Sequence, residues 1–372
     1  MKILHVISGL NDGGAEGVLF RLVTTDSELE HIVISMGSNG KYGPIMKSKG
    51  VKVFTLDMNQ KKFIIFDLFR LFGLIRRIKP NILQTWMPHA DLIAGILGKI
   101  SGVEKIFWGI RHSNLDIEKA NKKTVKIVRI NSWLSSYIPD GIISNAKSAS
   151  IAHALNGFSM KKMIVIPNGF DVSKLAINNN VRSCFRQSLG VDDDTFLIGM
   201  VARYDPQKDH ENLLRSLQYL ARKNCKFKCV LVGTGMVEEN SHIWKLIHDL
   251  GLQDFVILLG QHSEISLVMN GIDLHVLSSS YGEAFPNVVA EAMACGTPCV
   301  VTNVGDAKDI VQDTGWCVDP EHPRALSDAI WSAYNEWGSY EWSRRILSAR
   351  GRIEKSFSME SMVDSFHRAW RN

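Results

Sequence analysis

The 372-residue chain has no uncharged apolar run of eighteen residues or more, so no segment reads as a membrane span. Its six cysteines (Cys184, Cys225, Cys229, Cys295, Cys299 and Cys317) include no CxxC pair and no disulfide-like framework, which fits free thiols in a reducing cytoplasm. The first residues, MKILHVISGL, lack the basic region, long apolar core and cleavage site of a secretory signal. They read instead as a buried strand. Neither GxGxxG with its downstream acid nor GxxxxGK[ST] is present, which disfavours a dinucleotide-dependent dehydrogenase and a P-loop enzyme. No His/Cys cluster has metal-ligand spacing, and no repeat of 20–50 residues is visible.

What is present is charge of unequal sign in the two halves. Residues 1–180 hold 24 Lys and Arg against 13 Asp and Glu, whereas residues 181–372 hold 19 against 25. A basic first half points to an anionic partner: nucleic acid, a membrane surface or a phosphorylated substrate. Length and an apolar fraction of 45% suit two globular domains.

Short β-rich runs recur at KILHVIS, HIVIS, VKVFTL, NILQT, KIFWGI, GIISN and MIVIPN, then at FLIGMVA, FKCVLVG, FVILLG, LHVLSS and PCVVT. Helix-length segments such as Ala15–Val23, Phe63–Ile78 and Asp91–Ile100 separate them. Strands alternating with helices predict parallel sheets covered on both faces, and hence two doubly wound α/β domains. The joint falls between Pro167 and about Asn180, where Pro, Gly and an Asn run break the periodicity. Ligands of such folds sit beyond the carboxyl ends of the strands, so the residues there are the candidates.

Four segments carry chemistry. After the first strand, Gly13-Gly14-Ala15-Glu16 opens a helix whose N–H groups can approach a phosphate. Gly233-Thr234-Gly235 stands similarly in the second half. Arg203 and Lys208, five apart in a Pro-containing loop after FLIGMVA, can close on one anion from two sides. The segment Glu283-Ala284-Phe285-Pro286-Asn287-Val288 leads from a strand into a helix, with Asn287 and Glu291 on one helical face. A carboxylate in the otherwise apolar VVAEAMA needs a polar partner, and a ribose diol is one.

Gly13 to Glu16, Ile166 to Asp171 (IPNGFD), the Arg203 and Lys208 pair, and Glu283 with Glu291 eight positions on together resemble the family 4 retaining glycosyltransferases of the two-Rossmann-domain GT-B kind, in order and approximate spacing over nearly the whole chain. The resemblance implies two domains facing across a cleft. Residues 1–170 would form the acceptor-side domain, joined by a C-terminal helix at about 357–372 that crosses back. Residues 171–356 would bind the nucleotide sugar. Arg203 and Lys208 would hold the diphosphate and stabilise its departure, Glu283 would lie beside the transferred sugar, and Glu291 would hold the ribose. The backbone around Phe285, Asn287 and Val288 would hold phosphate, the Gly13–Gly14 loop would close over it, and the base would pack near Gly233 and the loop after Gly260. His112, in FWGIRHSN, stands where many members carry a His facing the reacting sugar. No cofactor and no metal are expected, since the nucleotide sugar is itself a substrate and cationic side chains meet the leaving diphosphate. Asp192-Asp193-Asp194 reads as a surface turn.

By the same resemblance the donor is a UDP-sugar, the acceptor a saccharide or lipid-linked saccharide, and the setting bacterial polysaccharide or lipopolysaccharide assembly. Two other classes fit less well. A nucleotide-sugar epimerase would need two acid/base groups and no second substrate. A nucleic-acid-binding protein would need cations interleaved with aromatics on a strand platform.

The basic first half has one further candidate. Over residues 118–134, a predicted helix places Lys119, Lys122, Lys123, Lys126 and Arg129 within about 120° of arc, with Trp133 on the same side. A basic stripe carrying a Trp suits an anionic membrane surface, giving a cytoplasmic protein peripheral to the inner leaflet. The Phe-rich segment 63–78 has only a narrow charged stripe (Asp67, Arg70, Arg77) and is expected to be buried against the first sheet.

Overall fold

The computed structural model describes residues 1–58, 64–111 and 122–372. They form two compact units, Met1–Gly169 with Met359–Asn372, and Phe170–Ser358.

The first unit is a seven-stranded parallel sheet: β1 (Lys2–Ile7), β2 (Glu30–Ser35), β3 (Lys52–Thr55), β4 (Ile82–Trp86), β5 (Lys105–Ile110), β6 (Gly141–Ser144) and β7 (Met163–Val165), in the order β3-β2-β1-β4-β5-β6-β7. Central strands are buried on both faces, and Ile3–Ile7 is apolar but for His5, while Ile82–Trp86 also buries Gln84 and Thr85. The connections are α1 (Gly14–Thr25), α2 (Tyr42–Ser48), α3 (Ile64–Ile78), α4 (Pro88–Ile100), α5 (Lys122–Leu134) and α6 (Lys147–Leu155). The strand order reverses direction at β1, and right-handed crossovers then put α1 and α2 on one face and α3 to α6 on the other.

Helix α3 departs from the expected burial. Leu71 and Ile75 are buried, and so is Asp67, one helical turn before Leu71. Ile65, Phe66 and Phe69 face solvent at 72%, 63% and 70% exposure, on the side of Arg70. The helix is apolar nearly all round, and the sheet can cover only one side. The register chosen turns Asp67 inward, 3.6 Å from Arg70, and leaves the aromatics outside.

The second unit repeats the plan with six strands: β8 (Phe196–Val201), β9 (Phe227–Val232), β10 (Val256–Gly260), β11 (Leu274–Leu277), β12 (Cys299–Thr302) and β13 (Trp316–Val318), ordered β10-β9-β8-β11-β12-β13 and parallel. Its helices are α7 (Asn179–Ser188), α8 (His210–Ala221), α9 (Ser241–Asp249), α10 (Ile265–Gly271), α11 (Asn287–Ala294), α12 (Ala307–Val311), α13 (Pro323–Glu336) and α14 (Tyr340–Ser356). Arg186 of α7 is fully buried; its Nη1 donates to Asp273 and its Nη2 to the carbonyls of Asp192 and Thr195, so one guanidinium ties the entry to β8. Where the chain enters and leaves this unit, the Phe170 amide donates to the Phe357 carbonyl at 2.9 Å.

The last helix, α15 (Met359–Arg371), belongs to the first unit. Its stripe Met362, Phe366 and Trp370 is buried against the β1–β4 core with Trp86. Burying side chains of this size contributes roughly 1.5–3 kcal/mol each. Beneath them runs a polar chain that sequence reading does not suggest. Trp86 Nε1 donates to His5 Nδ1 (3.2 Å), His5 Nε2 meets His31 Nδ1 (2.9 Å), and His31 Nε2 donates to Asp26 Oδ2 (2.9 Å).

Candidate active site

The second unit brings several of the candidates together at the carboxyl ends of β8 and β11. Leaving β8, the chain passes Arg203 and folds into a 3-10 turn at Pro206–Lys208, which Asp205 caps by accepting the Gln207 amide at 3.0 Å. Asp205 also holds Arg203, whose Nε donates to it at 3.1 Å while most of the guanidinium stays exposed. Lys208 turns inward. Its Nζ lies 2.5 Å from Glu283 Oε1, and Ser279 Oγ donates to the same oxygen at 2.6 Å. Glu283 is thus an almost buried carboxylate oriented by a cation and a hydroxyl.

The loop that carries Glu283 is pinned on both sides. Ser278 Oγ donates to the carbonyls of Lys208 and Asp209, the Ser280 amide donates to the Gln207 carbonyl, and the Asp306 amide donates to the Ala284 carbonyl. Gly305, at φ +63°, is needed here: a Cβ would stand 2.6 Å from the Glu283 carbonyl oxygen. The Phe285 ring is buried, stacked on Phe170 (6.1 Å) and edge-on to Phe357 (5.4 Å), so it acts as a prop under the loop and leaves its backbone to line the site. Pro286 then caps α11, whose N-terminus carries Asn287 and Val288 and has no side-chain cap and no acid in its first turn. Such an end favours an anion. Glu291 follows one turn after Asn287, partly exposed in a helix otherwise largely buried.

Beyond β9, Gly233 at φ +144° brings its backbone against that of Ala202: a Cβ would lie 2.2 Å from the Ala202 oxygen. The loop after β9 and the loop carrying Arg203 are therefore held together, and the Tyr204 amide donates to the Thr234 carbonyl at 2.8 Å. Asp192, Asp193 and Asp194 are exposed, and Lys226 pairs with the first and third. Among the described residues no group of acids, His and Cys has the arrangement to hold a metal.

In the first unit, Gly13 is the N-cap of α1 and Gly14 its first residue. The Glu16 carboxylate folds back over that end, so close that a Cβ on Gly13 would meet it at 2.3 Å. Burial raises the Glu16 pKa. A phosphate approaching this helix end has to displace that carboxylate. His112 and Lys119 lie outside the described residues. Lys122 and Lys123 fall on α5, with side chains outside the description. Lys126, Arg129 and Trp133 are exposed, and the Trp133 ring stands 5.8 Å from that of Tyr137.

Sequence reading missed Ser279 and Asp205, whose spacing from Glu283 and Arg203 was visible but whose orientation was not. It also missed Arg111 and Asp91 at the ends of β5 and in α4. Asp91 is buried, accepts from Thr85 Oγ1 at 2.6 Å and from the Gly109 amide, and is pushed up to about 7 by burial.

Two doubly wound parallel-sheet units of this kind make up the GT-B architecture. Residues 181–352 match the family described as Glycosyl transferases group 1. The chain is 24% identical over 321 residues to the capsular polysaccharide biosynthesis glycosyltransferase CapM of Staphylococcus aureus, covering 81% of this chain and 80% of that one. It is 25% identical over 253 residues to the UDP-Gal:alpha-D-GlcNAc-diphosphoundecaprenol alpha-1,3-galactosyltransferase of Escherichia coli, covering 66% and 64%. Its fold superposes on HepE of Anabaena, solved in complex with UDP, with a TM-score of 0.86 over the whole of both chains at 22% identity. Fold, family match and relatives together support a glycosyltransferase of the GT-B fold.

Proposed function

We propose that this glycosyltransferase takes a UDP-sugar as donor and transfers the sugar, with retention of anomeric configuration, to a lipid-linked saccharide in bacterial polysaccharide or lipopolysaccharide assembly. The observation that carries the reading is the Lys208–Glu283–Ser279 cluster beside exposed Arg203 and the uncapped start of α11. In the transfer the bond from the anomeric carbon to the diphosphate breaks, an acceptor hydroxyl forms the new bond to that carbon, and the hydroxyl proton passes to the departing diphosphate. Negative charge grows on the diphosphate, so Arg203, Lys208 and the α11 amides act where they are worth most. Glu283, held by Ser279 and Lys208, faces the sugar. Glu291 takes the ribose hydroxyls. Nothing in this chemistry calls for a metal or other cofactor.

The donor choice is supported by the UDP in HepE and by the UDP-Gal donor named for the E. coli relative, and the lipid-linked acceptor by that relative's name. The exposed stripe Lys126, Arg129 and Trp133 supports a peripheral contact with the anionic inner leaflet, and no described helix is long and apolar enough to cross a membrane. The test is a thermal-shift panel of UDP-, GDP-, ADP- and CMP-sugars, followed by transfer to lipid-linked saccharides and NMR of the fresh product. UDP-sugars should raise the melting temperature, the activity should survive chelator, and the product should keep the donor's configuration. An inverted product, or hydrolysis and epimerisation without transfer, overturns the reading.

A further inference from the structure

We infer that Arg111, with Arg21 beside it, is a binding site in the first unit for a phosphate group of the acceptor. The acceptor part of this inference rests on the function proposed above. The anion site itself rests on geometry.

Arg111 follows β5 directly, at the carboxyl edge of the sheet where doubly wound folds bind ligands. Its guanidinium lies over the Trp86 ring at 4.3 Å, and Nη1 donates to Asn168 Oδ1 at 3.1 Å. These two contacts fix the plane of the fork. The remaining edge, Nε and Nη2, is shut off from solvent and has no hydrogen-bond partner. That edge is the one that pairs side-on with two oxygens of a phosphate or carboxylate.

No carboxylate lies within ion-pair distance of Arg111 among the described residues. The acid that acts on it, Asp91, already accepts from Thr85 and Gly109, and its proton affinity leaves it only partly charged near neutrality. Arg21, whose Nε donates to the Gly169 carbonyl at 3.2 Å, adds a second positive charge close enough to depress Arg111 further, beyond the larger effect of burial. A purely structural Arg would need only the stack on Trp86 and the bond to Asn168. It would not leave the bidentate edge unsatisfied beside another cation, because buried unpaired donors are costly.

The experiment measures binding of inorganic phosphate and of dodecyl phosphate by calorimetry, with and without saturating UDP, alongside 15N NMR of the arginine Nε signals. Wild type should bind a phosphate whether or not UDP is present, and one buried Nε signal should shift. Arg111→Gln should weaken that binding about tenfold or more, and Arg111→Lys should lose most of it, because an ammonium keeps the charge but not the fork. UDP affinity should be unchanged in both. Equal affinity for the two phosphates marks recognition of the phosphate alone, and tighter dodecyl phosphate marks a lipid-borne one. Should Arg111→Gln fail to fold, Arg111→Lys and the wild-type Nε shift decide. Phosphate binding unaltered by Arg111→Lys with no Nε shift, or no phosphate binding at all, overturns the site. Failure of UDP to bind while phosphate still shifts Arg111 would sink the proposed donor and leave this site standing.

Discussion

His367 donates from Nε2 to Asp26 Oδ2 at 2.6 Å, tying the last helix of the chain to the end of its first. The same oxygen accepts from His31 at 2.9 Å, and the Glu28 amide bonds the other. Burial alone would raise the Asp26 carboxyl, but bonds from His31, His367 and Glu28 outweigh it and hold it below the usual carboxylate range. Asp26→Asn puts an amide where two N–H groups point. Loss of a charged acceptor of this kind costs about 1.5–3 kcal/mol per bond. The first unit should unfold at lower urea, and protease should release α15 first, while the second unit's transition stays in place.

Acid should destabilise both units, beginning near neutrality. Burial, then His31, lowers the His5 pKa, burial takes His210 down to about 4, and burial takes His275 down to about 3. The unfolded chain takes up these protons near 6.5 and the folded chain does not. Stability is therefore full above that pH and falls as the pH drops below it. For His210 and His275 the loss between pH 7 and 5 is up to about 2 kcal/mol each. Urea midpoints at the two pH values check it; equal midpoints would mean that these imidazoles do not stay neutral.

Lys208→Ala removes the cation paired with the Glu283 carboxylate and keeps the bond from Ser279. The expected loss is about 1–3 kcal/mol, or a few degrees in the melting temperature of the second unit. Turnover should fall far more than stability predicts. Ser279→Ala keeps the cation and should lower kcat/KM about tenfold or more, chiefly through kcat, if Glu283 must be held in one orientation.

Glu291→Ala should weaken UDP binding about tenfold with the fold intact. Arg203→Ala, at an exposed site, should leave the melting temperature unmoved and depress kcat. Calorimetry with UDP separates them: tight binding to Glu291→Ala removes the ribose role.

Trp133→Ala and the pair Phe66→Ser and Phe69→Ser remove exposed rings from helices on the same face of the first sheet, and Lys122, Lys123 and Lys126→Ser remove charge. Flotation with anionic vesicles should fall for all of them, and the charge variant should be the most sensitive to salt. Unaltered flotation at low salt would return these faces to ordinary solvated surface.

Most of the fold was legible because parallel strands buried on both faces leave apolar runs that need no partner to be read. All seven strands of the first unit and five of the second overlap the runs read from the sequence, with β2 and β4 each extending one residue beyond theirs. The missed one, Trp316–Val318, is three residues between Gly315 and Asp319, too short for any periodicity. The face of α3 was misjudged because apolar residues surround it, so the sequence does not say which side meets the sheet. Arg203, Lys208, Glu283 and Glu291 could be chosen from local spacing. The His5–His31–Asp26–His367 chain could not, since its members come from the two ends of the sequence and meet only once the sheet exists. Arg111 stood beside His112 in the same motif, but its meaning lies in Trp86 and Asn168, far away in sequence.

The first unit is discontinuous: its last helix follows the whole second unit in the chain. On the ribosome, which emits the chain from the amino end, residues 170–358 can finish folding while the first sheet still has its Trp86 and His5 surface uncovered. That surface stays open for the time needed to make nearly two hundred residues, with Met362, Phe366 and Trp370 still to come. Emergence of Met359–Arg371 is then the event that closes the amino-terminal core, so frameshifts or truncations before Trp370 should trouble the part of the protein that was synthesised first.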